Sequence, residues 1–374
     1  MHFHPKDTYE AFKPAEKDKI AHLAYHIHFN QMTKVKDRIT NKIELKKIRP
    51  IKEMNNNLLL LARTVEQERS RRLAELSGRH EICQLQGKIR WRLVAGLGSP
   101  HVRETALTIH PVYGIPYVPG SSLKGLVRNW FIHAYCDGDE KKLSEHPEAQ
   151  LIFGTGGRRG LVQFYDIFLY EGLQIDGDIM AIHFKEYYDG NKPATEDQRL
   201  ILQDFWAVRV DHANIFLTLE KKAAANDTDE RKMLETAAAW TAQALKEFGI
   251  GAKTSLGYGV FSEVKDVTET EFRKFLKERE EMLAKEEARK KELEIQNMSP
   301  EDRLVYFIEQ LTDNVADIEK SKGESIYSKV LKLQSKKAAQ ALKQYWEKTG
   351  QWKVKKGRKQ FEKVQAIKEI LQKM

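Results

Sequence analysis

Two short segments gather the residue types that hold an anion. The first, PYVPGSSLKGLVR (116–128), sets Gly120, Ser121 and Ser122 directly ahead of an apolar run that also carries Lys124 and Arg128. Pro116 and Pro119 keep the approach extended, Gly120 lets the chain turn, and Ser121 or Ser122 can accept a bond from the first-turn amides. Free amides, two hydroxyls and two cations four residues apart near a helix N-terminus suit a phosphate. An ordinary capped helix with solvated charges would show the same pattern, so this stretch alone leaves both readings open. The second segment, GIGAKTSLGYGVF (249–261), spaces glycines around Lys253, Thr254 and Ser255. Gly251 and Gly257 allow close backbone approach to a polyanion, while Lys253 and Ser255 supply donors. It is not a P-loop: the GxxxxGK[ST] spacing is absent, and the segment runs from helix into strand.

These segments need elements to hold them. Leu123, Leu126, Val127, Trp130 and Phe131 recur at helical spacing and predict a helix buried on one stripe. ICQLQGKIRWRLV (82–94) alternates as a half-buried strand should, with Lys88, Arg90 and Arg92 sharing a face. GLVQFYDIFLY (160–170), behind the glycine-rich turn FGTGGRRG, and FWAVRVDHANIFLTLE (205–220) read as extended chain. A helix over 230–249, the glycine-rich loop and the strand GVFSEV follow. The order strand, helix, strand, strand, helix, strand is the split βαβ pattern of ferredoxin-like folds, single or duplicated. The fold class expected is α+β.

Four segments are expected: a basic helical extension over 1–80, the ferredoxin-like core over 81–264, a charged linker helix over 265–298 and a basic helical module over 299–374. Residues 1–50 read as polar and irregular, and 57–77 as a helix. The net charge of +9 is uneven: residues 1–80 and 299–374 each carry +7, which leaves the middle at −5. A basic balance of this kind points to an acidic partner, nucleic acid before membrane. In 320–374, 16 Lys/Arg against four acids interleave with Tyr345, Trp346, Trp352 and Phe361. That suits base stacking, although aromatics at helical spacing more often form a core. Two cysteines without CxxC spacing or a Cys/His cluster at zinc spacing indicate neither a disulfide framework nor a structural metal. His2, His4, His26 and His28 form two HxH pairs without a third ligand type at metal spacing, so no metal and no cofactor are expected. No apolar run is long enough to span a bilayer, and a cytoplasmic protein is expected.

Taken together, PYVPGSSLKGLVR and GIGAKTSLGYGVF resemble the Pro-Gly-Ser-Ser-Leu-Lys-Gly motif and the C-terminal glycine-rich loop of the RAMP superfamily of CRISPR-associated RNA-binding proteins. With GLGSPHVRETALTIHPVYGIPYVPGSSLKG (96–125) added, the resemblance is to the subunit-six family of type III-B Cmr effector complexes, over roughly residues 80–264. It implies an RRM-related fold and a backbone subunit that holds guide RNA (crRNA) near its 3′ end, alongside other Cmr-type subunits and the guide–target duplex. Gly120, Ser121, Ser122, Lys124 and Arg128, with Gly251, Lys253, Ser255 and Gly257, would then lie along the guide backbone. Arg90, on the first strand, joins them as an RNA contact. In SPHVRET, Arg103 could meet phosphate and His101 could stack on a base. The resemblance also implies that target cleavage is absent, because GSPHVRETALTIHPV offers Glu104 where cutting relatives carry an Asp. The alternatives are a metal-independent endoribonuclease using His101 or His110 on the 2′-OH, and a type III-A backbone subunit.

Overall fold

The computed structural model describes residues 21–29, 32–36, 43–47, 51–99, 105–182, 185–190, 193, 195, 201–221, 229–311 and 325–372. The chain forms two units, Met1–Arg279 and Glu280–Met374. In the first, a helical turn at Tyr25–Phe29 precedes a hairpin of β1 (Met32–Lys36) and β2 (Ile43–Lys47). The hairpin falls in a stretch read from sequence as irregular, because MTKVK and IELKK alternate over too few residues to stand out among lysines. The elements that follow are α1 (Asn56–Leu76), β3 (His80–Ile89), β4 (Tyr117–Val118), α2 (Gly120–Tyr135) and α3 (Pro147–Phe153). Short strands β5 (Gly154–Thr155), β6 (Arg158–Arg159), β7 (Val162–Phe164) and β8 (Ile167–Phe168) lead to β9 (Gln174–Ile182) and β10 (Ile201–Arg209). The unit closes with β11 (Ala213–Glu220), α4 (Glu230–Glu247), β12 (Phe261–Asp266) and the start of α5 (Arg273–Asn297).

Four strands form one antiparallel sheet in the order β12-β3-β11-β7. Numbered within the βαββαβ unit, this is fourth, first, third, second, the ferredoxin-like arrangement expected for the α+β fold. One sheet of this order is present among the described residues. Alternation sets its two faces. Cys83, Leu85 and Ile89 of β3, with Ile215, Leu217 and Leu219 of β11, are buried in the main core together with Leu123 and Val127 of α2 and Leu234 and Leu245 of α4. The opposite face carries Ile82 and Phe216 at one end, packed with Leu73 and Ala74 of α1 and with Phe272 and Phe275. Beyond that cover β3 continues along this face as Gln84, Gln86 and Lys88.

Two strand expectations need correction. The strand read over 82–94 ends at Ile89, the chain bends at Arg90 and Trp91, and Leu93 pairs instead with Val208 of β10. Arg92 therefore leaves the face it was assigned with Lys88 and Arg90, drawn to Asp176 and Asp178 at 3.2 and 2.9 Å. The extended stretch 205–220 is two strands in different sheets, because β10 pairs with β9 while β11 pairs with β3 and β7.

The second unit holds α6 (Pro300–Glu309), α7 (Ile326–Leu333), α8 (Lys336–Lys348) and α9 (Lys359–Gln372). Ser299, Ser325 and Ser335 cap the first three by accepting first-turn amide bonds. Leu304, Ile308, Val330, Leu342, Trp346 and Ile367 make its core. Tyr345 and Trp346 are thus core residues, not stacking platforms, and Trp352 lies partly buried between Lys343 and Lys368, each 5.7 Å from its ring. No described helix is long and apolar enough to cross a membrane.

Cys83 and Cys136 are free and buried. Burial and the neighbouring Asp266 push the Cys83 thiol up to about 12, and only a thiolate reacts. Neither thiol should take up a colourimetric thiol reagent in the native protein at pH 8, and both should react in guanidinium. Fast labelling of either without denaturant would contradict this packing.

Candidate nucleic-acid interface

The entrance of α2 is built differently from its sequence reading. Pro119 is the N-cap, and no side chain of its own segment caps the helix. The Gly120 amide donates instead to Asp166 Oδ1 at 2.7 Å. Asp166 is held in turn by Arg69 of α1, whose Nη1 donates to the Asp166 carbonyl at 2.5 Å. Arg69 lies over the Phe168 and Phe216 rings at 4.8 and 4.7 Å and pairs with Glu66 at 2.6 Å. Burial raises the Glu66 carboxyl above its ordinary value even against that guanidinium. Gly120 itself is buried, and a Cβ there would stand 2.2 Å from the Phe164 carbonyl. Glycine is required here for backbone packing. Ser121 and Ser122, released from capping, are exposed.

The glycine-rich loop docks on the chain after β3. Ala252 N donates to Val94 O at 2.8 Å, Gly259 N to Arg92 O at 2.6 Å and Ile250 N to Gly259 O at 2.9 Å. A Cβ on Gly251, whose φ is +99°, would reach Val94 O at 2.3 Å. Tyr258 fixes the far end: its hydroxyl donates to Asp178 at 2.5 Å, and burial with that carboxylate pushes the phenol up to about 12. Burial alone would raise the Asp178 carboxyl, but the Tyr258 hydroxyl, the Ile179 amide and the Arg92 guanidinium together hold it below the usual range.

With both segments placed, they face each other. An open groove of about 580 Å³ is lined on one side by Ser122, Gly125, Leu126 and Asn129 of α2 and on the other by Gly249, Ile250, Gly251, Ala252 and Thr254. Gly96, Leu97, Gly98 and Ser99 complete it with Phe248, and among the described residues the lining holds no carboxylate. Small side chains, hydroxyls and exposed main chain make a surface for a sugar-phosphate strand without base preference.

The cations stand apart from that lining. On α2, Lys124 and Arg128 occupy the next face, where Arg159 of β6 approaches them. Partial burial, then Arg159 and Arg128, lower the Lys124 ammonium from its ordinary value. Arg128 is also paired with Glu140 at 2.6 Å. Lys253 is a non-glycine residue at φ +59°, and its ammonium lies 5.3 Å above the Phe205 ring. Ser255 is exposed on the short turn Thr254–Leu256, which Gly257 ends at φ +91°. Arg90 belongs to a separate pocket with Lys88 and Lys265. His101, Arg103 and Glu104 lie outside the described residues, as do His2 and His4.

His110 is occupied structurally. Its Nδ1 accepts from the amides of Val112 and Tyr113 at 3.3 Å each, and its ring stacks on Tyr113 at 4.4 Å and abuts Tyr117 and Phe168. Among the described residues no group of three His, Cys, Asp or Glu side chains is placed to hold a metal ion. Sequence reasoning missed Asn129 and Arg159, while Thr254, named there among the loop's hydroxyls, lines the groove. Asn129 repeats the Ser122 face two turns on, and Arg159 stands in the FGTGGRRG turn, whose Gly156–Gly157 pair closes a two-residue hairpin.

Residues 88–262 match the RAMP superfamily. That span takes in the end of β3 and all of α2, β7, β11 and α4 of the ferredoxin-like unit. The matched span contains both groove-lining segments. The CRISPR system Cmr subunit Cmr6 of Pyrococcus furiosus is 30% identical, over 46% of this chain and 65% of that protein. A cryo-EM structure of the type III-B Cmr-beta complex bound to cognate target RNA contains a similar chain, at 16% identity and a TM-score of 0.42, covering 70% of this chain and 87% of that one. The crystal structure of Cmr6 from Pyrococcus furiosus aligns at 25% identity and a TM-score of 0.32, over 49% of this chain and 97% of that one.

Proposed function

We propose that this chain is a guide-RNA-binding, non-catalytic backbone subunit of a type III-B Cmr-type effector complex, placed near the crRNA 3′ end and in contact with the guide–target duplex and neighbouring subunits. The observation that carries this reading is the groove in which the helix α2 segment and the glycine-rich loop of the RAMP core face each other. Its lining of hydroxyls, amides and glycines, without a carboxylate among the described residues, suits a strand gripped by ribose and phosphate, which leaves base edges free for pairing with a target. Lys124, Arg128 and Arg159 beside it, and Lys253 on the loop, supply positive potential. The 65% coverage of a Cmr subunit supports the assignment to that kind of complex. Of the two histidines weighed for 2′-OH chemistry, the described one, His110, is committed to its turn.

The test uses the full chain and two single-stranded RNAs of unrelated sequence. Lys124→Glu combined with Lys253→Glu should weaken both by about tenfold or more at moderate salt and reduce the salt slope of binding, as expected when phosphate contacts are lost. Ser122→Glu with Asn129→Glu, inside the groove, should weaken both RNAs alike. Equal affinity of wild type and both variants would remove the groove from RNA binding. The same labelled RNAs should stay intact with and without EDTA, and specific cleavage would favour the endoribonuclease alternative.

A further inference from the structure

A second concave surface lies where the bend after β3 meets the sheet face left open by α1. It is an open pocket of about 520 Å³ whose floor is Gln86 and Lys88 of β3 and Lys265 of β12, with Arg90, Trp91 and Arg209 around it. That volume falls within the range of about 300–1,000 Å³ typical of ligand clefts. Register explains the floor: Glu263 pairs opposite Lys88 and Lys265 opposite Gln86, so these side chains emerge on one face of the sheet.

Trp91 is the unusual member. Its ring is 43% exposed, yet it is anchored from behind. Tyr258 lies 4.9 Å from it at an interplanar angle of 37°, and the Arg92 guanidinium sits 4.6 Å from its centroid. Both anchors are themselves fixed on Asp178, at 2.5 and 2.9 Å. The Arg90 main chain is tied by its amide to Val260 O at 2.8 Å, while its side chain is exposed. An indole left open to solvent but held by a tyrosine, a guanidinium and a carboxylate is a preorganised flat surface, which loses little freedom when something stacks on it.

Charge narrows what would stack. Cations predominate, but Asp211 and Glu263 also line the pocket. A free polyphosphate would meet those two carboxylates, and an acidic peptide would meet them without using the ring. A nucleotide within a single strand offers all that the pocket complements: a π-face for the indole, one phosphate for the cations, and base amino and 2′-hydroxyl donors for the carboxylates. We propose that Trp91 is the stacking platform of a second RNA subsite, distinct from the groove, which takes one unpaired nucleobase on the indole and its adjoining phosphate on Arg90 and Lys88.

This subsite rests on the RNA-binding reading above, so the experiment separates the two. Full-chain wild type, Trp91→Ala, Trp91→Phe, Trp91→Leu and Arg90→Ala are titrated with a single-stranded 12-mer RNA and with a blunt duplex of the same sequence. Loss of one stacked base should weaken single-strand binding of Trp91→Ala by about 5- to 150-fold with an unchanged salt slope. Trp91→Phe should retain most of the affinity. Trp91→Leu, which keeps apolar contact with Tyr258 but has no π-face, should behave as Trp91→Ala and keeps the test valid if the alanine variant folds poorly. Arg90→Ala should reduce the salt slope, and duplex binding should be the same for wild type and the Trp91 variants. Ultraviolet crosslinking of the single strand should mark the peptide containing Trp91. Wild-type affinity in Trp91→Leu while the groove variants lose binding would overturn the subsite and leave the RNA reading standing. Unchanged RNA binding with lost co-assembly with another Cmr-type subunit would overturn it in favour of a protein contact. Failure of wild type to bind either RNA would overturn both.

Discussion

Gly120→Ala should cost the first unit about 1–3 kcal/mol in a denaturant titration, the range expected of a core clash, whereas Gly125→Ala should stabilise it by about 0.5–1 kcal/mol. The two glycines stand five residues apart in one motif and have opposite physical roles. An alanine methyl at 120 would meet the Phe164 carbonyl at 2.2 Å, a backbone atom that cannot swing away. The shift needed to relieve it would also stretch the 2.7 Å bond from the Gly120 amide to Asp166, the cap of α2. At 125 a methyl meets nothing within 4 Å, so only the lower helical cost of alanine remains. Gly125 does line the groove, and a methyl there narrows it. A Gly125→Ala protein that is more stable but binds RNA less tightly would show that the glycine serves a ligand. One that is more stable and binds equally well would assign that position to neither role.

Arg92→Ala should cost about 2–4 kcal/mol, because it leaves Asp176 and Asp178 together without their shared partner. Their side chains are only 13% and 29% exposed, so water compensates in part. Arg209 still reaches Asp176 at 3.2 Å, which sets the lower end of that range. The pH dependence has a defined sign. The folded Asp178 carboxyl is depressed, so its contribution is present above the unfolded value of 3.8 and is lost as pH falls through the folded one. The Tyr258 phenol is raised, so its contribution is complete below 10 and disappears as pH climbs through about 12. Wild-type stability measured from pH 3 to pH 7 should therefore fall at the acid end, and Arg92→Ala should flatten that fall. An equal acid dependence in the two proteins would remove Arg92 from the network.

The split βαβ order was legible in the sequence because periodicities of 2 and 3.6 alternate cleanly over 80–266, and helix α2 was marked by its own apolar stripe. The facing of the two anion-holding segments followed from motif resemblance, and the shared groove gives it a geometry. What could not be read were contacts made at a distance in the chain. The seryl caps were expected locally, but Asp166, 46 residues on, takes the amide. Arg92 was assigned to a strand face by alternation, and two aspartates 84 and 86 residues away pull it out. Lys124 and Lys253 were read as members of one track, and what alternation could not give is their immediate company: Lys124 stands with Arg128 and Arg159, and Lys253 lies over the Phe205 ring. Alternation assigns a face only while the strand lasts.

The clamp from Arg69 through Asp166 to Gly120 has a practical consequence. The family match begins at residue 88, yet the arginine that steadies the motif lies nineteen positions upstream, and Leu23, Ile27, Leu58 and Ala62 belong to the same core as the matched strands. A shortened protein starting at residue 80 would retain both groove-lining segments while losing the brace beneath one of them. Its weak RNA affinity, if measured, would report a collapsed doorway and not an unimportant one.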